Sequence, residues 1–178
     1  LGSSFRDPAN GGWYAQVGPH GPIDDSKAAY AHAFVILAAS SAAAAGRPGG
    51  KELLEEALTV SLQRFWSEDD GMVVESWNAD FTVLEDYRGV NANMHTVEAY
   101  LAAADVTGDD SWLERATRIT RRAVDDFARS HSWRIPEHFN AAWEPLLEYN
   151  MENPADQFRP AGATIGHWFE WARLALHV

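Results

Sequence analysis

The sequence has no cysteine among its 178 residues, which removes disulfides, thiol nucleophiles and Cys-ligated zinc. It is short of positive charge. Fourteen Lys plus Arg stand against 26 Asp plus Glu, a net charge of −12. Such a chain repels phosphate backbones and anionic lipid, so neither nucleic acid nor a membrane is an expected partner. No apolar run approaches the roughly 20 residues of a membrane span. The longest, Ala33 to Ala45, is alanine-rich and broken by Ser40 and Ser41. No secretory leader pattern opens the chain, and a cytoplasmic location is expected. There is no initiator Met either, since the first residue is Leu1. What is abundant is apolar and aromatic: 46% hydrophobic residues, with 8 Trp, 8 Phe and 5 Tyr, enough for a packed core without staples.

Residues 5–25 read as a loop with turn dipeptides around a short strand-like pair. A first helix is predicted from Asp25-Ser26, either of which can cap it, to about Ala45, where Gly46 and Pro48 stop it. Tyr30, Phe34, Leu37 and Ser41 mark one of its faces. A second begins after Gly49-Gly50, with Leu54, Ala57, Leu58, Leu62 and Phe65 at amphipathic spacing, and ends before Glu68. Met72 to Trp77 is β-like, and residues 80–90 are loop-like. A third helix spans about Asn91 to Val106. Ser111-x-x-Glu114 is a capping box that opens a fourth, running to about Arg129. Its Arg115, Arg118, Arg121 and Arg122 read as a solvated face. Residues 131–163 are irregular, longer than an ordinary connector. A fifth helix starts near Thr164. The pattern predicts an all-α fold with small β excursions.

Chemistry concentrates on three of these helices. Asn91, His95 and Glu98 share one face of the third helix, among apolar Met94, Val97 and Leu101. Burying an imidazole and a carboxylate costs several kcal/mol unless they pair. His167-x-x-Glu170 repeats the device among Trp168, Phe169 and Trp171, and the first helix carries His32. Two readings stay open. Facing His-x-x-Glu pairs ligate metals in helical bundles. Alternatively, the histidines are acid–base groups whose carboxylates fix tautomer and raise basicity. His32, His95 and His167 lie 63 and 72 residues apart. That near-period of helical hairpins points to a closed toroid, which three such helices cannot complete.

The run Tyr87-Arg88-Gly89-Val90-Asn91-Ala92-Asn93-Met94-His95-Thr96-Val97-Glu98-Ala99 resembles the central motif of the N-acylglucosamine 2-epimerase superfamily. It is most similar to the aldose–ketose isomerase branch, which includes D-mannose isomerase and sulfoquinovose isomerase. Residues 27–34, the stretch Asn153-Pro154-Ala155-Asp156 and residues 162–174 are similar to that branch as well, so the resemblance covers nearly the whole chain.

The resemblance implies a cofactor-free sugar isomerase on an (α/α)6 barrel, acting through a cis-enediol(ate) on a monosaccharide. By position it implies that His95 moves a proton between C1 and C2, supported by Glu98, with Arg88 as the cation at the enediolate oxygens. It implies sugar contacts from His32, which assists ring opening, and from Asn91, His167 and Glu170, with no metal. Trp13, Trp77, Trp143 and Trp168 are candidate faces for the sugar ring. Family members of this kind often self-associate, so a homo-oligomer is an expectation. A 2-epimerase of mannose, an N-acylhexosamine or cellobiose is the alternative, as is a barrel that binds sugar without turning it over. The family's second catalytic histidine and an N-terminal arginine have no match here, and His177 does not replace the former. Six hairpins of this period need about 400 residues. Residues 1–178 are therefore expected to be part of one barrel domain, about half of it, without appreciable turnover alone.

Overall fold

Alanine-rich and amphipathic segments form two helical hairpins and the first helix of a third. The computed structural model describes residues 1–178. Helix α1 (Ala29–Ala44) turns into α2 (Gly50–Val60), which continues as a π-helical turn over Ser61–Phe65. Helix α3 (Val90–Thr107) turns into α4 (Asp110–Arg121), extended by a π-helical turn over Arg122–Phe127 and by α5 (Ala128–Ser130). Helix α6 (Ile165–Leu174) follows the long loop. Helix α3 packs against α1 and α6 in an inner layer, while α2 and α4 back α1 and α3. No helix is long and apolar enough to cross a membrane.

The core lies between the layers. Ile36, Met94, Val97, Tyr100, Ile119 and Trp171 belong to one buried cluster. The hydroxyl of Tyr100 meets Ser61 Oγ at 2.7 Å, which satisfies both at depth. The face of α1 marked by Tyr30, Phe34 and Ser41 is not core. Phe34 stays 41% exposed, as Phe169 on α6 does at 74%. The arginines of α4 are not merely solvated: Arg118 pairs with Glu68 and lies over Trp66, tying α4 to the turn after α2.

Two-residue ribbons, not side-chain caps, start α1 and α3. Strand β3 (Lys27–Ala28) pairs antiparallel with β6 (Ser76–Trp77), and β7 (Arg88–Gly89) with β8 (His138–Phe139). Each ribbon delivers a carbonyl to the first helical amide: Ala29 N donates to Glu75 O at 2.8 Å, and Val90 N to Glu137 O at 3.1 Å. The expected cap at Asp25 or Ser26 is therefore displaced to Ala28, whose side chain caps nothing. Ser111 does not cap α4 either. Asp109 does, accepting from Ser111 N at 2.9 Å. Two further ribbons, β1–β2 (Gln16–Gly18, Gly21–Asp24) and β4–β5 (Trp66–Ser67, Met72–Val73), complete the β structure.

Candidate active site

The inner helices bring titratable groups together within their first three turns. On α3, His95 Nδ1 lies 3.4 Å from Glu98 Oε2. Glu170 of α6 joins them, and ligand atoms of all three residues lie within 4.8 Å of one another. Arg173, one turn beyond Glu170, donates to Glu98 Oε1 at 3.0 Å and lies 3.7 Å from Glu170 Oε1. A guanidinium thus offsets the repulsion of the two carboxylates. The His95 ring is wedged edge-on against Tyr30 and tilted on Phe34, with centroids at 5.2 and 4.9 Å.

His167 is not partnered as its spacing implies. Its Nδ1 meets Glu137 Oε2 at 3.0 Å, while Glu170 turns toward His95. Glu137 is buried, and its other oxygen accepts from Thr164 N, the cap of α6, at 3.2 Å. The hydrogen bond His167 donates to Glu137 raises the His167 pKa above its usual value. A carboxylate on Nδ1 also leaves Nε2 as the working nitrogen. Glu137 sits in the irregular stretch and escaped the sequence reading.

Beside this cluster lies a cavity of about 860 Å³, lined among others by Tyr30, Glu75, Glu85, Asn91, Phe158 and Arg159. It opens where α1 and α3 begin, so their N-terminal dipole ends favour negative charge there. Asn91 Oδ1 is buried without a partner in the protein. Arg159 is the cavity's cation. It grips Glu85 through both Nη atoms, at 2.7 and 2.9 Å, and stacks 3.9 Å over the Tyr87 ring.

Of the expected residues only Asn91 lines this cavity; His95, Glu98, His167 and Glu170 are not on its wall, and two more are held away from it by bonds elsewhere. The Arg88 side chain is buried, and its Nη1 donates to the carbonyls of Glu85 and Tyr87 at 2.6 and 2.8 Å. It braces the loop beside β7. His32 is 2% exposed with both ring nitrogens engaged: Nδ1 on Ala28 O at 2.8 Å, Nε2 accepting from Trp13 N at 3.2 Å. Burial pushes its pKa down to about 4, so the ring is a neutral structural strut. Nor do the expected tryptophans face the cavity. Trp13 and Trp143 are core, and the indoles of Trp77 and Trp168 donate to the carbonyls of Arg64 and Ile135. The rings on the cavity wall are Tyr30, Phe158 and Tyr87, the last with Arg159 over its face.

The histidine period is not a structural register. His32 is the fourth residue after its helix cap Ala28, His95 the sixth after Gly89, and His167 the third after Thr164. Phe34, His95 and Glu170 hold the equivalent sixth position.

A family model described as N-acylglucosamine 2-epimerase matches residues 1–178. A D-mannose isomerase of Thermobifida fusca is 51% identical over the whole chain, which spans 44% of that relative's length. One from Pseudomonas cannabina pv. alisalensis is 50% identical, with 43% of its length covered. Among solved structures, a D-mannose isomerase superposes with a TM-score of 0.93 at 30% identity, over 99% of this chain and 45% of that one. Cellobiose 2-epimerase from Spirochaeta thermophila superposes at 0.81 with 19% identity, over 98% of this chain and 43% of that one, a likeness of fold. The chain therefore spans a little under half the length of the relatives it matches, and its hairpins are an arc of an α/α barrel.

Proposed function

Because the chain belongs to the N-acylglucosamine 2-epimerase family, we propose that the whole protein is an aldose–ketose isomerase of the D-mannose/D-fructose type. The observation that carries the reading is two histidines, each held by a carboxylate, at one end of the inner helices beside a cavity with one arginine. Half-identity to D-mannose isomerases along the whole chain supports the substrate class.

Proton removal next to a carbonyl needs a base titrating near neutrality and a cation at the developing oxyanion. His95 is the group that moves the proton between C1 and C2 through a cis-enediolate, and Glu98 steadies its imidazolium. His167, held protonated more readily by Glu137, donates to the ring oxygen as the sugar opens. Arg159, rather than Arg88, faces the enediolate oxygens, and Asn91 and Glu170 bind hydroxyls. A positioned base contributes on the order of 10²–10⁴-fold. Residues 1–178 are one part of a single barrel domain in this reading. The enzyme acts on a free monosaccharide in the cytoplasm without a cofactor.

The test is to incubate the full-length protein with mannose, fructose, glucose, sulfoquinovose and N-acetylmannosamine in D2O and follow products by NMR. Mannose and fructose should interconvert with solvent deuterium incorporated at the exchanging carbon. Mannose giving glucose with no ketose, or turnover confined to the N-acylhexosamine, makes the protein a 2-epimerase instead.

A further inference from the structure

Glu75 and Glu137 occupy corresponding places in successive hairpins. Each precedes the second strand of a ribbon, β6 or β8. Each accepts, through its backbone carbonyl, from the first amide of one inner helix. Each accepts, through its side chain, from the cap amide of the next: Gly89 N on Glu75 Oε2 at 3.1 Å, Thr164 N on Glu137 Oε1 at 3.2 Å. Gly89 permits this approach, since a Cβ there would lie 3.1 Å from Glu75 Oε2 and 2.9 Å from the Tyr87 hydroxyl.

The two then part. The second oxygen of Glu137 takes His167, the third residue after its cap. The third residue after Gly89 is Ala92, so no imidazole reaches Glu75. Its second oxygen has no hydrogen-bond partner in the protein, and the side chain lines the cavity.

No cation hydrogen-bonds Glu75. Arg159 gives both Nη atoms to Glu85, and Arg88 gives Nη1 to carbonyls. The other ionisable groups near it are Glu85 and Tyr87, whose hydroxyl meets His138 Nδ1 at 2.7 Å. Both guanidiniums near Glu75 are thus committed to other acceptors, and a carboxyl that no cation hydrogen-bonds lowers its energy by keeping its proton. Burial agrees, pushing the Glu75 carboxyl up to about 7.

We propose that Glu75 is a sugar-binding residue whose free oxygen donates a hydrogen bond to a hydroxyl or carbonyl oxygen of a polyhydroxy carbonyl substrate in the cavity. The proposal rests on the isomerase reading. It adds a neutral donor beside the cationic Arg159, suited to an oxygen that must be held without being drawn into a fixed ion pair.

The experiment compares wild-type full-length protein with Glu75→Gln, which keeps a neutral donor, and Glu75→Leu, which has none. Wild-type KM should rise about fivefold from pH 7 to pH 8 as the carboxyl loses its proton. Glu75→Gln should raise KM two- to threefold at pH 6, roughly the cost of an imperfect hydrogen bond, and remove that rise. Glu75→Leu should raise KM about tenfold at pH 6 and make it independent of pH, so that wild type approaches it by pH 8, with a smaller change in kcat. Infrared difference spectra should show a carboxylic-acid carbonyl band at pH 6 that shifts when sugar is added and vanishes in Glu75→Gln. A KM rise that persists in Glu75→Gln, an unchanged KM in Glu75→Leu, or a band indifferent to sugar overturns the proposal. Wild-type protein that binds sugar and shifts the band but turns nothing over overturns the isomerase reading alone. Equal melting temperatures at pH 6 establish that the variants fold.

Discussion

His32 and His167 lie in the first turns of two inner helices and have opposite environments. Around His32 every partner is backbone. Ala28 O takes the Nδ1 proton, Trp13 N donates to Nε2, and rings of Trp13 and Phe65 close the space. The ring is neutral and shut, and its two bonds join the N-terminal loop to α1. Around His167 the partner is a buried carboxylate, and the other nitrogen is left free of protein. Its charged form is favoured rather than penalised. Residue type and helix position are nearly the same in both. What differs is whether the neighbours accept from one nitrogen or occupy both, and that decides whether an imidazole can carry a proton.

The sharpest way to break this comparison is to remove the rings in the full-length protein. His167→Ala and His95→Ala should each lower kcat/KM on the order of 10³-fold, and His95→Ala should abolish exchange of the substrate C2 proton with D2O. His32→Leu should leave the shape of the pH–rate profile unchanged and lower the melting temperature. An altered profile in His32→Leu, or exchange persisting in His95→Ala, reverses the roles assigned to them.

The next effect separates the carboxylate from the ring. Glu137→Gln keeps the shape and a hydrogen-bonding group but removes the charge. It should lower kcat about 10–10²-fold, and the pKa governing His167 should fall, because the main cause of its elevation is gone. The measurement is kcat against pH, and an unmoved limb would show that Glu137 only braces the α6 cap.

Stability carries the comparison in opposite senses. The folded pKa of His32, about 4, is depressed below its ordinary 6.5. Its stabilising contribution is therefore present above pH 6.5 and lost as pH falls toward 4, on the order of 3 kcal/mol across that window. For His167 the folded value is raised, so its contribution is present below pH 6.5 and lost as pH rises through the folded value. Denaturant unfolding of wild type and His32→Leu between pH 7 and pH 4 checks the first. The two should converge as the pH falls, and a constant gap would mean that His32 is not held neutral.

How far the sequence reveals this depends on the range of each interaction. Helices α1 to α4 and α6 are legible because apolar spacing and Gly or Asp punctuation are local. The start of α1 is not, because β3 pairs with Ser76–Trp77, far along the chain, and backbone pairing leaves no local mark at Asp25 or Ser26. His95 with Glu98 is legible as neighbouring turns of one helix. His167 with Glu137 is not, since the identical His-x-x-Glu spacing pointed inside the helix while the partner sits 30 residues earlier in a proline-bearing loop. Arg159 and Glu75 were missed for the same reason. One signal was available: Glu75-Ser76-Trp77 and Glu137-His138-Phe139 are two copies of acid, polar, aromatic at the same stage of successive hairpins.

The smallest expected effect concerns the carboxylates around His95. His95, Glu98 and Glu170 bring ligand atoms close enough to hold an ion. Yet the electrostatic demand there is already met by Arg173, which contacts both carboxylates from the next turn of α6. A divalent ion would have to displace that guanidinium and then compete with it for Glu98. Exhaustive chelation of the full-length protein should therefore leave kcat within about twofold of the untreated value, and Arg173→Leu should do more harm than the chelator. Activity lost on chelation and restored by one divalent metal would instead make His95 a ligand. The contrast would then run between a metal-bound ring on α3 and a proton-bound ring on α6, rather than between a closed histidine and two open ones.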